Sequence, residues 1–179
     1  MALIVNSQTH QTSCAMKASN KLSRIVTRIN HLPGQLSVTV LSFVFGRLIK
    51  FAGTAKIRID QLEFEASTLT LKNRRKVQNH IGSVHAAATA LLGESATGFL
   101  IGMHVPDDKI PLLKSMNIDY VKRSNGDLVA RATLTGEQIR QMRSEPKGDI
   151  NVNVVITDEK GNEPVNCQFV WAWVPSRKS

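Results

Sequence analysis

A single carboxylate stands in an otherwise apolar run: Glu94 is flanked by Leu91, Leu92, Gly93 and Ala96. An unpaired carboxylate in such surroundings is costly, and desolvation raises its pKa toward the range useful for moving protons. The same burial is also met by a Glu that pairs across a subunit interface or faces a wet cleft. Just upstream, residues 79–88 read NHIGSVHAAA and bring together Asn79, His80, Gly82, Ser83 and His85 at the start of a helical stretch. Free backbone N–H groups at a helix start, with the helix dipole behind them, form a place for an oxyanion, the charge that develops in acyl transfer. Taken singly, His85 also suits a hydrogen-bonded structural role and Ser83 a helix cap. No G-x-S-x-G elbow surrounds Ser83, which argues against a serine hydrolase. His80 and His85 lack the i, i+4 zinc spacing and no acidic cluster lies near them, so no metal site is expected.

A long helix must carry this carboxylate. Residues 83–103 are rich in Ala and Leu, poor in strand formers and apolar on all sides, which predicts a helix of about five turns buried all round. Ahead of it, Leu22, Ile25, Val26 and Ile29 recur at helical spacing up to Pro33-Gly34, and Leu41, Val44, Phe45 and Leu48 form a second stripe. Beyond Gly53 the period becomes two. Ala55, Ile57 and Ile59 alternate with polar neighbours, and Leu62, Phe64 and Ala66 alternate in the opposite parity, which predicts a bulge or turn near Asp60-Gln61. After the long helix come strands: Met116 to Tyr120, then a turn at Ser124-Asn125-Gly126, then Leu128 to Leu134. Thr135 caps a short helix, GEQIRQMRS. Ile150 to Ile156 alternates cleanly, and Val165, Cys167, Phe169, Trp171 and Trp173 form the last inward row. One buried helix followed by an antiparallel meander predicts an α+β fold, a sheet wrapped around a helix.

Charge is unevenly spread. The chain has 179 residues and a net charge of +9, yet its first acidic residue is Asp60, preceded by Lys17, Lys21, Arg24, Arg28, Arg47, Lys50, Lys56 and Arg58. Such an acid-free amphipathic start best suits packed helices with a solvated basic face, ahead of an anionic membrane, a polyanion or a targeting peptide. Its apolar residues Leu36, Leu41, Val44, Phe45, Leu48 and Phe51 favour packing, with these helices capping a pocket or a dimer. A weak membrane-surface contact through residues 17–52 stays open. The cluster Lys72, Arg74, Arg75 and Lys76 has no interleaved aromatics on which bases would stack, so nucleic acid is not an expected partner. Two distant cysteines, Cys14 and Cys167, make no disulfide or zinc pattern and fit a reducing compartment; the expected location is cytoplasmic.

The stretch from Asn79 to Gly98 resembles the central-helix motif of hot-dog-fold acyl-CoA thioesterases, in the phenylacetate-pathway (PaaI-like) branch. There an Asn precedes a Gly-x-x-His-Gly-Gly turn and an acid follows on the helix; here Asn79 and His85 are six apart, and His85 and Glu94 nine. The segment with Tyr120, Lys122, Arg123, Gly126 and Asp127 is similar to the strand-turn-strand that follows in those proteins. The chain looks most like an uncharacterised subfamily with His-Ala-Ala where the enzymes carry His-Gly-Gly. The resemblance implies a hot-dog domain over residues 53–175, after a flexible terminus (1–16) and a basic helical extension (17–52), and before a short tail (176–179). It implies two protomers joined edge to edge, as a homodimer or a dimer of dimers, with sites at their interface. Glu94 would act as general base toward water or as nucleophile toward the thioester, Asn79 of the partner subunit would orient that water, the Ala86 amide would polarise the thioester carbonyl and His85 would shape the turn. The substrate would be an acyl-CoA or acyl-carrier-protein thioester, with Gly82, Ser83, Lys122, Arg123 and Arg75 as candidate contacts. No cofactor is implied beyond the CoA moiety of the substrate. The alternative is a non-catalytic hot-dog protein that binds acyl-CoA or lipid.

Overall fold

The computed structural model describes residues 20–176. Three helices open it: α1 (Lys21–Asn30), α2 (Gly34–Leu48) and α3 (Lys50–Ala55). Strands β1 (Arg58–Leu62) and β2 (Ala66–Leu71) follow, then a single 3-10 turn at Arg75–Val77 and the long helix α4 (Ala86–Gly102). The chain continues through β3 (Lys109–Tyr120), β4 (Leu128–Thr133), α5 (Gly136–Ser144), β5 (Gly148–Asp158) and β6 (Val165–Pro175). All strand pairs are antiparallel, and the six strands lie in the order β1-β2-β4-β5-β6-β3. Helix α4 packs on β2 through β6, with Leu92, Ala96, Leu100 and Ile101 fully buried against Leu69, Ala130, Ile156 and Phe169 of the same core.

Two glycines set how deep α4 sits. A Cβ on Gly93 would stand 2.6 Å from the Phe169 ring, and one on Gly98 would stand 2.7 Å from the Trp171 ring. Each glycine costs about 1 kcal/mol of helix propensity relative to Ala, and the aromatic rings of β6 occupy the notches that result. Trp171 also donates its indole N–H to Thr97 Oγ1 at 2.9 Å, satisfying a buried polar pair beside the second notch.

The opening helices belong to this core. Asn20 caps α1 by accepting from the Ser23 amide and donates from Nδ2 to the carbonyls of Gly102 and Val105, which ties α1 to the end of α4. Asn30 reaches the Leu62 carbonyl at 2.8 Å, and the Ile59 amide donates to Ser42 Oγ at 2.9 Å. Val26, Leu41 and Phe45 are buried, the last against Phe99 with ring centroids 4.6 Å apart. Leu36, Leu48 and Phe51, expected to be covered, are exposed. The amphipathic stripe is wider than the single face that α4 and β1 cover.

Helix α3 is the element the residue pattern does not predict; the alternation read from Ala55 begins only at Arg58. Ala52 and Ala55 bury the inner face of α3, and Gly53 lies against the Gly46 backbone of α2, so close that a Cβ there would strike the Gly46 carbonyl. The helix ends at Lys56 in the left-handed region (φ 53°), with the Ile57 amide donating back to Ala52 O. A Lys at that cap, where Gly is usual, gives no stop signal in the sequence. The parity change at residues 60–61 is a bulge, with the β1/β2 register shifting between Ile59 and Gln61.

Asp158 clamps two turns together at the far end of the sheet. Its carboxylate accepts from the amides of Lys160 and Asn162 in its own turn, and from the Asn125 amide in the β3–β4 turn. The backbone and side-chain hydrogen bonds from Asn162 and Asn125 outweigh desolvation and hold its pKa down to about 2. Folding therefore favours the ionised form: the stabilisation is present above the ordinary carboxylate pKa near 4 and is lost as pH falls through about 2. Asp158→Ala should be less stable than the wild type at neutral pH. In denaturant melts the gap between the two should close across that acidic window; a constant gap would count against the clamp.

Candidate active site

The turn from Val77 to His85 is built by short-range bonds that the sequence makes locally. The Asn79 amide donates to Ser83 O at 2.8 Å, and Asn79 Oδ1 accepts from the amides of Ile81 (3.0 Å) and Ser83 (3.1 Å). Gly82 occupies the left-handed region (φ 77°) that closes the turn, and its carbonyl accepts from Asn73 Nδ2 at 3.0 Å. The His85 amide donates to Val77 O, which brings the chain back to the start of α4. Arg123, arriving from the end of β3, staples the turn from outside: Nε donates to Ser83 Oγ at 2.9 Å and Nη2 to Ile81 O at 2.7 Å.

His85 is the N-cap of α4. Its Nδ1 accepts from the Ala87 amide at 3.1 Å, which leaves the ring proton on Nε2. Its carbonyl accepts from Ala88 and Thr89. The Ala86 N–H donates to no described residue, and Ala86 lies exposed at the positive end of a 17-residue helix. Tyr120 Oη donates to the Ala86 carbonyl at 2.7 Å and anchors the end of β3 at the same place. A cleft of about 250 Å³ opens in front of this N–H, lined among others by Asn79, Ser83, Ala86, Tyr120, Lys122 and Arg123. On the other side of His85 lies a largely apolar cleft of about 470 Å³, walled by Phe51, Thr54 and Ala55 of α3 and by Val77, His85, Ala87, Ala88 and Leu91. Arg75 lines neither cleft; it sits exposed on the 3-10 turn, where Lys76 reaches the apolar one.

Glu94 is half-buried, not enclosed. The expectation that α4 is buried all round fails along one stripe, Ala86, Ala87, Ala90 and Glu94, because the sheet curls over the other faces only. No described residue bonds or pairs with the Glu94 carboxylate, and burial raises its pKa above the usual carboxylate value. Ala86 and Glu94 are eight residues apart on one helix, about 12 Å along its axis. Within one chain they cannot converge on a single carbonyl. The structure thus brings together Asn79, Gly82, Ser83, His85, Ala86, Lys122 and Arg123, and leaves Glu94 and Arg75 apart from them. Tyr120 is the site residue whose contact the sequence did not reveal, since its alternation marks only a strand.

Among the described residues no group of three or more His, Cys, Asp and Glu side chains is placed to hold a metal ion.

A curved six-stranded antiparallel sheet around one long central helix defines the hot-dog fold, and the hot-dog superfamily read from residues 79–98 is borne out. The chain belongs to the family of the domain of unknown function DUF4442, whose model matches residues 38–174. No curated protein matches it. Among solved structures, a Pseudomonas aeruginosa protein of unknown function described as a probable thioesterase is 25% identical, with a TM-score of 0.69 over 77% of this chain and 96% of that one. A thioesterase from Staphylococcus aureus is 20% identical, with a TM-score of 0.61 over 70% of this chain and 99% of that one. A thioesterase from Haemophilus influenzae is 13% identical, with a TM-score of 0.61 over 75% and 90% of the two chains.

Proposed function

We propose that the protein hydrolyses acyl thioesters carried on CoA or acyl carrier protein, at sites shared between two copies of the chain. The observation that carries this reading is the half-buried, unpaired Glu94 carboxylate with its raised pKa, on the same open stripe of α4 as the unpaired Ala86 N–H. The Ala86 N–H would donate to the developing oxyanion, and Glu94 of the facing protomer would take a proton from water or attack the carbonyl itself. His85 holds the first turn in place through Ala87 and so aims the Ala86 N–H. Asn79 offers only its Nδ2 to a water, because Oδ1 is spent on the turn. Solved thioesterases of the same fold support the assignment of class. The test is release of free thiol from a panel of acyl-CoAs, set beside binding of the same compounds. Turnover above the uncatalysed rate supports hydrolysis, and tight binding without turnover rejects it.

The edge strand supports the shared site. β3 pairs with β6 along its full length on one side and with nothing described on the other. It exposes Ile110, Leu112, Met116 and Tyr120, the kind of long apolar edge that soluble proteins cover. A second copy laid edge to edge would cover it, bring the open stripe of α4 against its counterpart and bridge the 12 Å gap of a single chain.

A non-catalytic acyl-CoA binder is the second reading. The commitment of Asn79 Oδ1 to the turn favours it, since the residue then cannot accept a hydrogen bond from the water it would have to orient.

Lys122 is the cation best placed for a CoA phosphate: it lines the cleft at Ala86, is exposed and makes no side-chain bond among the described residues. Arg123 has two of its donors committed to the turn. Lys122→Ala should raise KM by at most about fivefold with kcat unchanged, since an exposed ion pair is worth up to about 1 kcal/mol, and the effect should fade with salt. Arg123→Ala should lower kcat as well, because it loosens the turn that aims the Ala86 amide. Equal kinetics in both variants would assign the phosphates elsewhere.

A further inference from the structure

Helices α2 and α3 form a tight hairpin, with Gly53 against the backbone of Gly46. Its inner side is buried through Leu41, Phe45, Ala52 and Ala55. Elsewhere it carries large apolar residues that nothing described covers: Phe43 (61% exposed), Leu48 (60%) and Phe51 (63%), as well as Leu36 and Ile49. Three cations fringe this patch. Arg47 stacks over the Phe43 ring with its guanidinium carbon 4.8 Å from the centroid, and Lys50 and Lys56 stand exposed on α3 and its cap. None of the three pairs with a carboxylate among the described residues; Arg58 is taken by Asp60 and Arg24 by Asp107. No acidic residue occurs before Asp60.

We infer that the outer face of the α2–α3 hairpin docks on the surface of an anionic lipid bilayer. Exposed aromatic and aliphatic side chains ringed by lysine and arginine, with no carboxylate to repel phosphate headgroups, match the two requirements of an interfacial element: apolar area to enter the acyl boundary and positive charge for the headgroup plane. A protein partner would be expected to meet charges of both signs at its rim. No described helix is long and apolar enough to cross a membrane, so the contact is with the surface. Phe51 joins this patch to the chemistry: it also walls the 470 Å³ apolar cleft that runs to His85 and Ala87. The inference goes beyond the thioesterase reading and does not need it, since lipid binding requires no turnover.

The test is flotation of the full chain with vesicles of phosphatidylcholine alone and of phosphatidylcholine mixed with phosphatidylglycerol. Binding is expected to the mixed vesicles, to weaken with salt and to be absent or much weaker on the neutral ones. The double substitution Phe43→Ser with Phe51→Ser should lower the bound fraction roughly tenfold or more. Arg47→Glu with Lys50→Glu should lower it by about fivefold or more for each cation removed. All four positions are exposed, and an unchanged thermal melt separates lost docking from lost fold. Absence of binding to both vesicle types, or equal binding to both, overturns the inference. A wild type that binds neither vesicle but loses oligomer mass in the Phe43/Phe51 variant also overturns it and assigns the face to a contact between copies.

Discussion

Glu94→Gln is expected to lower acyl-thioester hydrolysis at least about 100-fold while leaving the fold and substrate binding intact. The amide keeps the shape of the side chain and removes the base, and general-base or nucleophilic assistance is worth about 100- to 10,000-fold. The pH dependence adds a second signature. Burial raises the Glu94 pKa, so the wild-type rate should fall as pH drops through a value above the usual carboxylate range, and the residual activity of the variant should show no such limb. Stability should move the other way. A folded-state pKa above the unfolded one means that ionisation opposes folding: the contribution is present below the unfolded pKa and is lost as pH rises through the folded one. At neutral pH Glu94→Gln should therefore melt no lower than the wild type. Undiminished turnover in the variant would remove Glu94 from the chemistry, and a lower melting point would point to a structural bond across the interface.

Met116→Lys is expected to split the assembly and take the activity with it. Met116 lies exposed near the middle of β3, where its side chain makes no part of the described core, so a single chain should keep its fold. A charge repeated on both strands of an edge-to-edge pair would repel its own copy, the device by which soluble proteins guard open edges. Hydrodynamic mass should fall to one chain, and turnover should fall in parallel, because in the proposed site Glu94 and Ala86 meet only across two copies. A one-chain variant that remains fully active would place the whole reaction within a single protomer. A two-chain mass for the variant would move the interface away from β3.

What the residues revealed of this fold, and what they hid, follows from how far each signal reaches. The capped helix at Thr135, the bulge at Ile59–Gln61 and the alternating β5 and β6 are local devices, and each is where its pattern puts it. Strand β3 begins at Lys109, seven residues before the alternation at Met116 suggests. Its first half, KIPLLKS, carries a Pro and a register shift between Leu113 and Ser115, and it is held extended by pairing with β6, not by its own pattern. The sense of burial on α4 escapes the sequence for a related reason: Ala86, Ala87 and Ala90 look like core residues, yet they are the small residues of an open stripe. At the site, spacing located Asn79, His85 and Glu94. It did not show that Asn79 Oδ1 and Arg123 are committed to the turn, because those bonds join side chains to backbone amides and carbonyls that carry no residue-specific mark.

The two notches of α4 act as a detent. With the Phe169 ring seated at Gly93 and the Trp171 ring at Gly98, the helix can neither slide along the sheet nor roll on it without driving a ring into its backbone. Glu94 sits between the two seats, so the tolerance on its position is set by aromatic packing on β6. In the proposed hydrolysis, where a misplacement of about 1 Å can cost 100-fold in rate, the tuning of this carboxylate would belong as much to β6 as to the helix that bears it.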